Sequence, residues 1–150
     1  MAIKSVVRNR KAWHEYEILE KFEAGIALVG TEVKSIREGK VKITEAYCNI
    51  DDQLQIDLLE MEISQYTFGN IHNHQPRRKR KLLMHKREII RLFSKVKEKG
   101  LTLVPLSMYF KDGTVKVEIA LCRGKKLHDK RASLKDKDAK MEIDRAMKNQ

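Results

Sequence analysis

Five consecutive cations, Arg77, Arg78, Lys79, Arg80 and Lys81, stand with no acid among them. Guanidinium and ammonium groups at this density are suited to neutralising phosphate oxygens, arginine as a planar fork and lysine as a point charge. Residues 77–100 hold eleven Lys/Arg against two Glu, most of the chain's formal net charge of +11. A local excess of this kind is the electrostatic footprint of nucleic-acid binding. Other residue types capable of chemistry form no comparable set. His72 and His74 are the one close histidine pair and lack a third metal ligand at matching spacing. Gly124-Lys125-Lys126 lacks the spaced glycines and following Ser/Thr of a phosphate loop. No nucleophile, base and orienter occur together, so neither an enzyme nor a bound cofactor or metal is expected.

Charge is segregated along the chain. Residues 1–13 carry four cations and no anion, residues 14–76 five cations against twelve anions, and residues 123–150 ten Lys/Arg against five Asp/Glu. A near-neutral or acidic body with basic attachments would dock a polyphosphate on the attachments. One hundred and fifty residues is the size of one domain, able to bury a core without disulfides. Cys48 and Cys122, with no C-x-x-C spacing, read as buried thiols in a reducing compartment. No apolar run approaches the ~18 residues of a membrane span, and no signal-like stretch opens the chain, so a cytoplasmic protein is expected.

The elements that would position the cations follow from periodicity. Residues 1–13 lack a clear period and read as a basic N-terminal arm. Residues 16–23 alternate as a strand, and Gly25 suggests a bulge or bend. Thr31 is placed to cap a two-turn helix bearing Val33 and Ile36 and stopped by Gly39. Residues 46–50 and 54–58 alternate around Asp51-Asp52 as a hairpin. Residues 65–76 are turn-rich and lead the cations into a helix over residues 82–99, whose Leu82, Ile89, Phe93 and Val96 share one face, with Gly100 at its end. Cations at that helix's N-terminus would oppose the macrodipole by ~0.3–1 kcal/mol each, an opposition that a bound anion would offset. The clearest hairpin is last: residues 104–110 and 115–122 alternate around Asp112-Gly113, the preferred type I′ pair. The set predicts a mainly β protein with helical insertions, an oligonucleotide-binding-type antiparallel β-barrel with flanking helices and a basic C-terminal tail.

In that tail Ala139, Ile143, Ala146 and Met147 share a helical face, and Asp136–Lys140 and Asp144–Lys148 are i,i+4 pairs. The stripe is thin, which predicts a segment disordered alone and helical on a partner. His14, between Trp13 and Tyr16, could stack on RNA or simply begin a strand.

Taken in order, His14-Glu15-Tyr16, Phe22-Glu23-Ala24-Gly25, Glu32-Val33-Lys34-Ser35, Arg80-Lys81-Leu82-Leu83, Gly124-Lys125-Lys126 and His128-Asp129-Lys130-Arg131 cover nearly the whole chain. This ordered set resembles the SsrA-binding protein (small protein B) family of bacteria. The resemblance implies a barrel over residues 14–128 that binds the tRNA-like domain of transfer-messenger RNA and brings it to stalled ribosomes for trans-translation, without catalysis. It assigns RNA binding to Glu23, Leu83 and Lys116, with Asn9, Arg10, His14, Lys81, Lys125 and Lys126 in the same motif neighbourhoods. It also implies that residues 129–150 become helical in the small subunit's decoding centre and message channel, through Asp129, Lys130 and Arg131 and then Lys140, Ile143 and Met147. The family often has a tryptophan where this chain has Ala139 and an isoleucine where it has Ala146. Membranes and small-molecule substrates are not among the implied partners. Composition alone leaves a general ribosomal or structured-RNA-binding protein open, whereas a metal-dependent nuclease would need clustered carboxylates in place of acids alternating along strands.

Overall fold

The structure, a computed structural model, describes residues 2–69 and 73–124. In chain order its elements are β1 (Ile3–Arg8), α1 (Arg10–Glu15), β2 (Tyr16–Ile26), α2 (Gly30–Arg37), β3 (Val41–Lys42), β4 (Tyr47–Ile50), β5 (Ile56–Leu59), β6 (Glu62–Ile63), β7 (Arg80–Leu83), α3 (Lys86–Lys99), β8 (Thr102–Lys111) and β9 (Thr114–Gly124).

Every strand pairing is antiparallel. β8 pairs with β9, β9 with β2, β2 with β7, β7 with β5 and β5 with β4; Cys48 of β4 opposite Leu103 then returns the pairing to β8. The pairings thus form a ring, in agreement with the antiparallel, mainly β fold expected, and β1 is added along the free length of β8. The β8–β9 hairpin turns at Asp112 (φ 51°) and Gly113 (φ 83°), the left-handed pair that a type I′ turn requires. The β4–β5 hairpin is also present, but its loop runs through residues 51–55, with Asp51 Oδ1 accepting from the backbone N–H of Gln53 and Gln55.

Alternation fills the interior. Val115, Val117, Ile119 and Leu121 of β9 enter the main core with Ile56, Leu58, Leu82, Leu103 and Met108. Near α1 the sheet is buried on its outer face too, where Ala12 covers Val104, Leu106, Ala120 and Cys122. Among the described residues three one-residue bulges adjust the strands: at Val6 of β1, Leu19 of β2 and Leu106 of β8. Pro105, which has no N–H to donate, sits at the last of these, where a lost ladder bond is tolerated.

Three expectations are corrected. Residues 3–8 are not a separate arm: they pair with β8 from Ile3 opposite Lys111 to Arg8 opposite Ser107. An added strand needs only backbone partners, so its mostly exposed side chains show no period. The helix expected over residues 82–99 starts at Lys86, because Arg80, Lys81, Leu82 and Leu83 form β7. The cation run therefore does not sit at a helix N-terminus, and the macrodipole argument for an anion there falls. Thr31 does not cap α2: Val29 is the N-cap, its N–H donating to Glu32 Oε1 at 2.9 Å. The stop signals Gly39 (φ 74°) and Gly100 (φ 62°) do adopt the left-handed backbone expected.

Candidate nucleic-acid interface

The register of four strands sets one row across the outer face of the sheet. Gly25 of β2 lies opposite Leu83 of β7 on one side and Lys116 of β9 on the other, and Lys116 lies opposite Tyr109 of β8. Directly opposed residues in a ladder project to the same face. Leu83, Gly25, Lys116 and Tyr109 thus form a continuous strip, with Leu83 53 % exposed. An ideal Cβ on Gly25 would come within 3.3 Å of Leu83 Cβ, so the absent side chain lets Leu83 close over the strip.

Glu23 lies two residues along β2 from Gly25 and on the same face. The Tyr109 hydroxyl donates to its Oε2 at 2.5 Å, and Lys111 Nζ lies 3.2 Å from Oε1. The Tyr109 hydrogen bond, with Lys111 behind it and against partial desolvation, holds the Glu23 carboxyl below its ordinary range. Burial, and then the bond to Glu23, push the Tyr109 phenol up. An ionised carboxylate in a fixed rotamer can accept from base amino groups or ribose hydroxyls, and the strip can also offer a phosphate the Lys116 charge and a base the apolar Leu83.

The strip continues toward α1. Lys21, on the outer face of β2, has Nζ 4.8 Å from the centroid of Trp13, which is 48 % exposed on α1. Arg10 is exposed at the start of this helix and His14 half-buried in its last turn. Asn9 is corrected as a contact residue: it is 2 % exposed and wholly engaged within the protein. Its Oδ1 caps α1 by accepting from Ala12 N, its Nδ2 donates to Pro105 O and Ile43 O, and its N–H donates to Leu106 O. Two of these acceptors, Pro105 O and Leu106 O, lie at the β8 bulge.

The cation run divides unexpectedly. Arg80 is fully buried, its Nε donating to Glu32 Oε2 at 2.7 Å and its Nη1 to Met61 O at 2.7 Å. Arg78 donates through Nη2 to Glu32 Oε1 at 2.5 Å. Burial would raise the Glu32 pKa, but Arg78, the Val29 N–H and Arg80 outweigh it and hold the carboxyl below its usual range. Arg77 pairs with Glu60 and Glu62, and Lys79 Nζ lies 3.9 Å from Asp57. Among the described residues only Lys81 of the five has no carboxylate partner; it is exposed two residues from Leu83 on the same face of β7. Most of the run is thus internal wiring, because strand alternation turns Arg80 inward and the acidic neighbouring strands meet the rest.

His74 donates from Nε2 to Ile63 O, which leaves Nδ1 to accept from Thr31 Oγ1 at 2.9 Å, so both ring nitrogens are occupied. Among the described residues no three His, Cys, Asp or Glu side chains gather as a metal site. Cys48 and Cys122 are buried free thiols. Lys125, Lys126, Asp129, Lys130, Arg131, Lys140, Ile143 and Met147 lie outside the described residues.

The structure brings Glu23, Leu83, Lys116 and Lys81 together on one face, with Arg10 and His14 beyond its α1 end. Sequence reasoning missed Tyr109, Lys111, Lys21 and Trp13. Tyr109 was within reach: a two-residue turn at Asp112-Gly113 fixes the register and puts residue 109 opposite residue 116.

The SmpB protein family model matches residues 6–149 of this chain. The SsrA-binding protein of Pelotomaculum thermopropionicum is 53 % identical over 148 residues, covering 99 % of this chain and 96 % of that protein. The SsrA-binding protein of Carboxydothermus hydrogenoformans is 54 % identical over 145 residues, 97 % of each chain. That of Chlamydia muridarum is 51 % identical over 148 residues, 99 % of this chain and 97 % of that one. Among solved structures, a chain described under "tmRNA-SmpB: a journey to the center of the bacterial ribosome" superposes with a TM-score of 0.69 at 50 % identity, covering 87 % of this chain and 94 % of that one. With its strand order, its outer-face strip and these relatives taken together, the chain belongs to the SmpB family.

Proposed function

We propose that this protein is a non-catalytic, cytoplasmic RNA-binding adaptor that binds transfer-messenger RNA and delivers it to stalled ribosomes for trans-translation. The single observation that carries the reading is the outer-face strip: Leu83, Gly25 and Lys116 in one register row with Glu23 beside them, in a chain whose relatives are SsrA-binding proteins. The ligand of the strip is the tRNA-like domain. A braced carboxylate, an apolar contact and a few cations suit a folded RNA recognised by shape, ribose and unpaired bases. Residues 129–150 form a second interface, which folds into a helix in the small subunit's decoding centre and message channel.

A competition at fixed salt tests this directly, with the tRNA-like domain set against ordinary tRNA. The wild-type protein prefers the former, and Leu83→Ala with Lys116→Ala weakens binding at least ten-fold, about 1.4 kcal/mol, with little change in thermal midpoint. Substitutions at Asp129, Lys130 and Arg131 leave that affinity intact and block nascent-chain tagging in a reconstituted translation assay. Equal affinity for both RNAs would instead make the protein a general structured-RNA binder.

A further inference from the structure

Beside Lys81 and Leu83 the surface opens into a cavity of about 320 Å³ between the β4–β5 turn, β7 and the start of α3. This is the small end of the ~300–1,000 Å³ range of small-molecule sites. The residues that line it include the apolar Leu83 and Met84, the amide-bearing Gln53 and Gln55, and the cations Lys81 and Lys86. Among the described residues neither glutamine side chain has a hydrogen-bond partner and neither lysine an ion pair, although most of the neighbouring cation run is paired.

The turn that carries the glutamines is held firmly. Asp51 Oδ1 accepts from Gln53 N at 2.9 Å and Gln55 N at 3.0 Å, and Asp51 N donates to Gln55 O at 3.0 Å. Between the two amides Leu54 sits at φ 62°, a left-handed backbone that a leucine adopts only where its surroundings impose it. Residues held in this way cluster at ligand clamps.

We propose that this cavity receives one unpaired nucleobase of the RNA bound along the Leu83 row, its edge met by Gln53 and Gln55 and its flanking phosphates by Lys81 and Lys86. The inference rests on the RNA-binding reading above and assigns that interface a base-reading site. A carboxamide both donates and accepts, as base edges require, and Leu83 and Met84 offer apolar contact to a ring face. The cavity is continuous with the strip through Lys81 and Leu83 themselves. Only an unpaired base can enter it, and unpaired bases are where sequence-specific RNA recognition is concentrated.

The experiment is a cycle between protein and RNA. Binding of the tRNA-like domain is measured at fixed salt for wild-type protein and for Gln53→Ala with Gln55→Ala, against a series of RNAs each abasic at one unpaired nucleotide. One abasic position should weaken wild-type binding about ten-fold, the size of one well-held base. The double variant should show the same loss on intact RNA and no further loss at that position, the non-additivity of groups in contact. Thermal melting confirms that the variant folds, and Gln53→Glu with Gln55→Glu, which repels phosphate, gives an independent variant with at least the same loss. The inference is overturned if the double alanine variant binds like wild type. It is equally overturned if every abasic RNA loses the same factor on both proteins, which would confine Lys81 and Lys86 to phosphate contact. Failure of the wild-type protein to hold the intact RNA would fell the reading beneath it and the base site with it, a result separate from indifference to the abasic series.

Discussion

Glu32 and Glu23 are both carboxylates fixed by donors brought to them by the fold, one inside the molecule and one on its outer face. Glu32 is fully buried against Arg80 and Arg78, and every group in that node points at another protein atom. Glu23 is half-exposed, and Tyr109 and Lys111 brace it from one side while it remains open to solvent. The same chemistry thus serves the fold in one place and, in the function proposed above, recognition in the other, and burial decides which. A buried pair contributes little net stability relative to apolar residues, yet breaking it strands a charge in the interior. A braced surface carboxylate contributes little to folding, and its fixed rotamer lowers the ordering cost of binding a ligand.

The largest expected effect falls on the buried side. Glu32→Ala leaves Arg80 without its counter-ion and should destabilise the protein by about 3–5 kcal/mol, read as a lowered denaturation midpoint. Replacing both partners, Glu32→Leu with Arg80→Met, should recover much of it; an unaffected single variant would remove the distinction between the two sites. Because the folded Glu32 carboxyl is held below its ordinary value, its contribution is complete above the unfolded carboxylate pKa and lost as pH falls through the folded one. Wild-type stability should therefore decline in acid more steeply than that of Glu32→Gln.

On the outer face, Tyr109→Phe removes the main hydrogen bond that holds Glu23 ionised. The Glu23 carboxyl should move up toward the ordinary value of about 4.3, followed by NMR titration, while stability changes by about 1 kcal/mol. RNA affinity should fall several-fold; an unchanged affinity would mean that Glu23 needs no bracing. The smallest effects belong to the outer cations of the run. Arg77→Ala or Lys79→Ala should cost under about 1 kcal/mol of stability and leave the salt slope of RNA binding as it was. Lys81→Ala should reduce that slope by about 0.7–0.9, one phosphate contact.

The β8–β9 hairpin was legible because its inward residues are all apolar and its turn pair is specific. β7 was not, because its inward positions are Arg80 and Leu82 and a buried arginine breaks the apolar alternation. Leu82 also stands seven residues before Ile89, which mimics one more turn of α3. The helix's own inward residue Leu92, fully buried, was left out of the expected stripe. β1 escaped because its partner strand is far along the chain, from Ile3 opposite Lys111 to Arg8 opposite Ser107, and its side chains mostly face solvent. At the site, charge alone pointed to cations that the fold pairs with its own carboxylates. Glu23 and Leu83 entered only through resemblance to a known family, since no periodicity distinguishes a half-exposed glutamate that binds from one that is solvated.

The bulge at Leu19 has its own consequence, which is one of counting. On one side of it the even-numbered Tyr16 and Ile18 lie beneath α1; on the other the odd-numbered Lys21, Glu23 and Gly25 look outward, and both sets belong to the same face of the sheet. A single extra residue performs that change of parity. Leu19 is 43 % exposed, so its side chain is replaceable. Its place in the count is not: a chain one residue shorter here would turn Tyr16 and Ile18 to the sheet's inner face and set α1, with Trp13 and His14, adrift from the strip they extend.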